Sequence, residues 1–190
     1  GSGTFWINPT TEERAGLILA NTTAAAITIA TNNAQVWNGN FQFGGPSDLN
    51  MGTGTVSLGA TPNAARNVAV NAGTLTIGGR IIDGSHPDLP TKSLTVSGSA
   101  LGRLLLTGSN GYTGPTVVNG GILEFATRNA IYGGGTSSWT AANLTTGSGG
   151  VMALDVGSSG QFTATDLDLF KGLGTGTSGF LPGSFLGIDT

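Results

Sequence analysis

The sequence predicts an all-β protein, a parallel β-helix, and three observations carry that expectation. Strand-like segments are only three to five residues long and alternate apolar with small or polar residues. The turns between them are rich in Gly and Thr and lack the regular Asn-Gly or Asp-Gly loops of hairpins. The chain also resembles itself: Val70-Asn71-Ala72-Gly73-Thr74-Leu75 matches Val118-Asn119-Gly120-Gly121-Ile122-Leu123, as stacked repeats do.

Taken in order, Pro9 to Ala20 opens with Glu12 and Glu13 like a helix, but its apolar residues condense into Leu17-Ile18-Leu19, which reads better as a strand. Ile27-Thr28-Ile29, Phe41-Gln42-Phe43, Leu49-Asn50-Met51, Val56-Ser57-Leu58, Val68-Ala69-Val70, Leu75-Thr76-Ile77 and Leu94-Thr95-Val96 follow. In each the outer two residues point inward and the middle one outward. Thr28, Thr76 and Thr95 should then form ladders on the outside. Of Val36 and Trp37, one must face outward. Asp83 to Lys92 holds much of the charge and two prolines and reads as a loop. Gly133-Gly134-Gly135 and Gly147-Ser148-Gly149-Gly150 flank Trp139 and suggest a loose junction, with the indole packed at a corner.

Composition narrows the function. The 190 residues hold 34 Gly and 7 Pro, about a fifth of the chain, yet 38% are hydrophobic, enough for a core. Only 9% are charged, with 7 basic against 10 acidic residues. Seven scattered cations make a poor phosphate-binding face, so no nucleic-acid partner is expected. No apolar run reaches the 18 or so residues of a membrane span, and Gly1-Ser2-Gly3-Thr4 is no signal peptide. Cysteine is absent, which excludes disulfides and thiolate metal sites.

The segment Leu104-Leu105-Leu106-Thr107-Gly108-Ser109-Asn110-Gly111-Tyr112-Thr113-Gly114-Pro115-Thr116-Val117-Val118-Asn119-Gly120-Gly121-Ile122-Leu123 resembles the autotransporter-associated β-strand repeat of bacterial surface and secreted proteins. That pattern runs through a leucine strand (Leu104, Leu106), Thr107-Gly108, Asn110, Tyr112-Thr113-Gly114, Thr116 and Val118, then Gly121 and Leu123. Val70 to Gly79 and Phe41 to Leu58 resemble parts of further units, and Phe185 to Thr190 the opening of another. The resemblance implies a right-handed parallel β-helix, residues 1–190 forming a single β-solenoid segment of a longer array at an extracellular or bacterial cell-surface location. At about 22 residues per coil, roughly eight or nine rungs are expected, a rod about 40 Å long. Within the motif, Asn110 and Gly111 permit a tight turn, Tyr112 covers a corner with its hydroxyl in solvent, and Gly121 lets neighbouring coils approach.

Chemistry is sparse. His86, the only histidine, lies near Asp83 and Asp88 and reads as an exposed loop residue rather than a base. Asp166-Leu167-Asp168-Leu169 alternates, which would set both carboxylates on one outer face as a calcium or glycosidase pair. No calcium loop follows, and Lys171 offers simple charge compensation. Ser97-Gly98-Ser99 lacks a nucleophile elbow, and no glycine run precedes a Gly-Lys-Ser/Thr. Catalytic, cofactor-binding and metal-ligating residues are therefore expected to number none, and no cofactor is expected.

The function read from the sequence is a non-enzymatic structural or adhesive module of a large autotransporter-like protein. Its expected partners are a cell-surface glycan or protein, adjacent repeats of the parent chain, and further copies of itself in weak end-to-end association. One alternative is a carbohydrate-active β-helix, a polysaccharide lyase or hydrolase, for which Arg66, Arg80, Asp83 and Lys92 are the nearest approach to a charged cluster. Another is a self-assembling extracellular filament subunit.

Overall fold

The computed structural model describes residues 3–8, 17–61, 65–88 and 91–190. Strands recur in threes along the chain. The first three are β1 (Phe5–Ile7), β2 (Ile18–Leu19) and β3 (Ile27–Thr28), followed by β4 (Gln35–Trp37), β5 (Phe41–Phe43) and β6 (Leu49–Asn50). Next come β7 (Val56–Ser57), β8 (Ala65–Val70) and β9 (Gly73–Ile77), then β10 (Ile81–Ile82), β11 (Ser93–Gly98) and β12 (Gly102–Leu106). Beyond this point they come in pairs: β13 (Thr116–Val118) with β14 (Gly121–Phe125), β15 (Leu144–Thr146) with β16 (Gly150–Asp155), and β17 (Gly179–Phe180) with β18 (Phe185–Asp189). One α-helix, α1 (Ala164–Lys171), precedes the last pair.

Every strand pairing among the described residues is parallel, in three sheets of four, seven and seven strands. The orders are β1-β4-β7-β10, β17-β15-β13-β11-β8-β5-β2 and β18-β16-β14-β12-β9-β6-β3. These sheets correct the expected all-β right-handed parallel β-helix (β-solenoid) of roughly eight or nine rungs: they are three sheets of unequal size with a helix, an α/β-type layout. Two physical reasons account for the difference. The four-stranded sheet ends at β10 because the corresponding later segments turn or coil into 3-10 geometry instead of extending. The spacing between paired strands is also uneven, since Leu94 pairs with Arg66 before it and with Thr116 after it, so a constant repeat length does not apply.

Burial follows the two-residue period. Leu75, Leu104, Leu123 and Met152 lie in register across β9, β12, β14 and β16, and all are buried. Ile77, Leu106, Phe125 and Leu154 form a second buried row. Leu105 lies between the rows and is half-buried. Phe41, Phe43 and Trp37 are buried, while Val36 takes the outward position. The Trp37 indole donates to Gln35 Oε1 at 3.2 Å and meets the Phe41 ring edge-on at 5.0 Å. All three sheets contribute to this one core.

The threonine ladders do not form. Thr76 pairs with Asn50 and Leu105, and Thr95 with Asn67 and Val117. The self-match is half right: Leu75 and Leu123 share a row, but Val118 falls in register with Val96 and Val68, not with Val70.

This register carries a direct test. Leu106→Ala removes a fully buried side chain and is expected to cost about 2–5 kcal/mol. Leu105→Thr changes an outward position and should cost under about 1 kcal/mol. Urea denaturation of both variants checks the order, and equal or reversed losses contradict the register.

Candidate functional site

The repeat-like segment lies across the middle of the molecule. Leu104, Leu106, Val118 and Leu123 are core residues, and Thr107 is exposed at the end of β12. Gly108 is held against the Gly79 carbonyl, and Gly114 against that of Lys92, where a Cβ has no room. Gly121 has φ of 69°, with the Gly102 and Ser99 carbonyls 3.2 Å from where its Cβ would be. Asn110 does more than permit a turn. It is buried, accepts the Ile81 N–H at 2.8 Å and donates to the Ala130 carbonyl at 2.9 Å, tying three successive passes of the chain together.

Tyr112 departs from expectation. It is buried, and its hydroxyl meets Thr116 Oγ1 at 2.6 Å instead of solvent. Thr116 Oγ1 is in turn 3.0 Å from the Tyr132 hydroxyl, which reaches the Gly114 carbonyl at 3.1 Å and the Asn143 carbonyl at 2.9 Å. A chain of donors running Tyr112 to Thr116 to Tyr132 to carbonyl satisfies all three hydroxyls. The two rings meet edge-on at 5.5 Å. Burial pushes the Tyr112 phenol well above its ordinary value, Tyr132 adds to this, and the Thr116 hydrogen bond opposes it. Burial likewise raises Tyr132, so both stay neutral at physiological pH.

Tyr132 belongs to three short 3-10 turns, Arg128–Ala130, Tyr132–Gly134 and Thr136–Ser138, which replace the loose junction expected from the glycines. Its φ of 49° is left-handed, a conformation that costs a non-glycine residue on the order of 1–2 kcal/mol. The hydroxyl bonds of Tyr132 hold it there. Gly133 and Gly134, at φ of 65° and 82°, continue the left-handed bend without that cost. The long corner from Ala126 to Asn143 therefore stands over the short corner Gly111 to Thr113. Between them is a cleft of about 210 Å³ lined by Gly111, Tyr112, Thr113, Tyr132, Ser138 and Asn143.

Behind the cleft, Trp139 is buried, as its corner placement predicts. Its ring packs against Phe170 at 5.4 Å and Phe162 at 5.6 Å, and the Arg128 guanidinium carbon lies 5.5 Å from its centroid. Two of these partners flank or belong to the segment read as alternating strand. Asp166-Leu167-Asp168-Leu169 is instead inside α1, and its carboxylates do not share a face. Asp166 is buried, accepts from the Thr163 N–H and hydroxyl at 2.8 Å each and pairs with Arg128 at 2.9 Å. Asp168 is exposed and pairs with Lys171. The Thr163-x-x-Asp166 spacing is a capping box, a sequence signal that identifies this helix start.

Desolvation alone would raise the Asp166 carboxyl, but the Thr163 backbone and hydroxyl bonds, with Arg128, hold it below its ordinary value. A depressed folded value means its contribution is present above the unfolded pKa near 3.9 and is lost as pH falls through the folded value. Asp166→Asn is expected to cost about 1–2 kcal/mol at pH 7. The cost should shrink as pH falls below about 4. Denaturation at pH 7 and pH 3 checks this, and a pH-independent cost contradicts it.

A third group, missed in the sequence, is Glu124, Asp155 and Asp189, whose carboxylate oxygens lie within 4.8 Å of one another. Glu124 occupies an outward strand position yet is buried, since it lies between its neighbours on β12 and β16. Arg103 supplies the counter-charge at 2.9 Å from Glu124 and 3.8 Å from Asp189. Desolvation raises Glu124 despite Arg103, and Asp155 is raised by desolvation and then by Asp189.

The charged cluster considered for catalysis is spent on structure. The Arg66 side chain is buried and donates to the Trp37 carbonyl at 2.7 Å and to that of Ala65 at 3.0 Å. Buried Lys92 donates to the Thr61 carbonyl at 2.8 Å. Desolvation lowers both cations, and for Lys92 the nearby Arg66 adds to this while Asp83 opposes it. Asp83 accepts the Lys92 N–H at 2.8 Å and the Thr113 hydroxyl at 2.8 Å. Arg80 is exposed, with its guanidinium against Gly111. His86 is half-buried and its Nδ1 accepts the Asp88 N–H at 3.2 Å.

Protein-family models, curated proteins and solved structures offer no match to this chain. The likeness to the autotransporter-associated repeat rests on residues 104–123 and the partial units around them.

Proposed function

We propose that the chain is a non-enzymatic structural and adhesive module of a large bacterial cell-surface or secreted autotransporter-like protein. One observation carries the reading: Arg66, Lys92, Glu124 and Asp166 are engaged inside the structure, while the outward rows of the second sheet carry no charge. On that face Asn67, Thr95, Val117 and Thr145 lie in register, and Gln42, Ala69 and Ser97 form the adjacent row. In the lyase or hydrolase alternative the charged cluster would have to meet at a substrate-facing site. Here Arg66, Asp83 and Lys92 converge on carbonyls and amides instead. Among the described residues no helix is long and apolar enough to cross a membrane.

The filament alternative gains from the sheet edges. Ile18 on β2 and Ile27 on β3 are 63% and 39% exposed at one edge, and Phe185 and Ile188 on β18 are 59% and 56% exposed at the other. Parallel strand addition between copies, or from adjacent repeats of the parent chain, would cover them.

Incubation with pectin, alginate and related polymers tests the main reading. No chain cleavage is expected, and no loss of stability with chelator. Saturable cleavage that disappears in Asp83→Ala or Lys92→Ala would overturn it. Sedimentation of the same preparation over a wide concentration range should show weak association that Ile188→Lys abolishes, and a strict monomer throughout rejects the filament alternative.

A further inference from the structure

We infer that the cleft between the corner Gly111–Thr113 and the turns Tyr132–Asn143 is a binding site for one neutral sugar residue, such as a hexose or N-acetylhexosamine of a surface glycan. The inference rests on the adhesive reading above and assigns it a place.

Four features of the cleft point to this ligand. Its volume of about 210 Å³ suits a single pyranose ring, not a chain. The lining residues carry no charge, and the two ions at its wall, Arg80 against Gly111 and Asp83 accepting from Thr113, have opposite signs, so no net charge favours a phosphate, sulfate or carboxylate. Two aromatic residues line it, and Tyr132 is only partly buried, so a ring surface is available to the C–H face of a sugar. The tyrosine hydroxyls are committed to Thr116 and the Gly114 and Asn143 carbonyls, which fixes the rings in place before any ligand arrives.

Polar capacity remains where a ligand would need it. The Asn143 carboxamide donates one N–H to the Ser138 carbonyl at 2.9 Å. Its second N–H and its Oδ1 make no hydrogen bond among the described residues, and neither does the Ser138 hydroxyl. A carboxamide and a hydroxyl side by side offer donors and acceptors matched to vicinal sugar hydroxyls. The strained Tyr132 backbone belongs to the same wall, and strain of this kind gathers at functional sites.

The ligand is small and the contacts few, so a dissociation constant on the order of 1–10 mM is expected for a monosaccharide. Binding to a multivalent glycan array would be stronger if the parent chain presents several such clefts. Titration of isotope-labelled protein with methyl glucoside, methyl galactoside and N-acetylglucosamine, followed by amide chemical shifts, tests the site. Shifts should centre on residues 111–113 and 132–143 for at least one sugar. Glucuronate and glucose 6-phosphate should produce none.

Ser138→Ala removes one hydrogen bond and should weaken binding about threefold to tenfold without altering the fold. Tyr132→Phe keeps the ring, and Asn143→Asp loses the N–H that holds the Ser138 carbonyl as well as the unengaged one, and should weaken binding further. No shift with any neutral sugar overturns the site. So do shifts elsewhere on the surface, equal response to the charged sugars, or unchanged affinity in Ser138→Ala. Release of nitrophenol from a nitrophenyl glycoside bound at these residues would support the site and overturn the non-enzymatic reading. Absence of sugar shifts together with absence of cleavage overturns the site alone.

Discussion

Phe170→Ala is expected to destabilise the protein by about 3–5 kcal/mol, among the largest losses of any single side-chain truncation. The ring is fully buried, comes from α1, and meets Trp139 at 5.4 Å and Phe162 edge-on at 6.0 Å. Both the transfer of the ring and the cavity left among two other aromatics count against the variant. Because α1 is a short helix, its eight residues depend on this contact and on the Thr163–Asp166 cap more than on intrinsic propensity. Hydrogen exchange should show α1 amides losing protection before those of β11 or β12. A loss below about 1 kcal/mol would show that the aromatic cluster does not anchor the helix.

Gly98→Ala should be worse still, costing about 3 kcal/mol or more, or preventing folding. Two penalties act together. The residue has φ of 126°, a region that L side chains avoid, and a Cβ there would run into the backbone carbonyl of Val70. Gly102 approaches the same carbonyl from the other end of the turn, so Val70 cannot retreat. Gly176→Ala is the matched control: it has ordinary φ and open space around it, and should change stability by less than about 0.5 kcal/mol. Thermal melts of the two variants separate a packing constraint from a general effect of adding a methyl group. Equal melting temperatures would contradict the close approach at Val70.

What the sequence revealed was the part governed by a two-residue period. Phe41, Phe43, Leu104 and Leu106 are where alternation places them, and Leu105 is outward between the last two. What stayed hidden was long-range. Arg66 and Lys92 stood out only as members of a charged cluster, yet both find carbonyls inside the structure from residues 29 and 31 positions away in sequence. Glu124 sits at an outward position whose burial depends on Arg103 and Asp155 one strand away on either side. Tyr112 looked amphipathic enough for a corner, but the partner that buries its hydroxyl side, Tyr132, belongs to a glycine-rich stretch with no apolar period. The helix was legible after all, through Thr163-x-x-Asp166. It was misread because Leu167 and Leu169 mimic a strand, and only Leu169 proves exposed. Of the candidate cleft, Tyr112 and Thr113 were singled out as motif residues, and Tyr132, Ser138 and Asn143 were not.

The unequal corners have a consequence for how such a chain can change over generations. Residues 107–115 and 126–143 join equivalent strands by different lengths, yet β13 and β15 remain in register. Lengthening a surface connection is inexpensive, about 0.6 kcal/mol for each doubling. Insertions at these corners can therefore be tried, kept or discarded without re-laying the strands beneath. A lineage built this way can alter what its surface recognises by editing one turn at a time, and each edit is judged almost independently of the last.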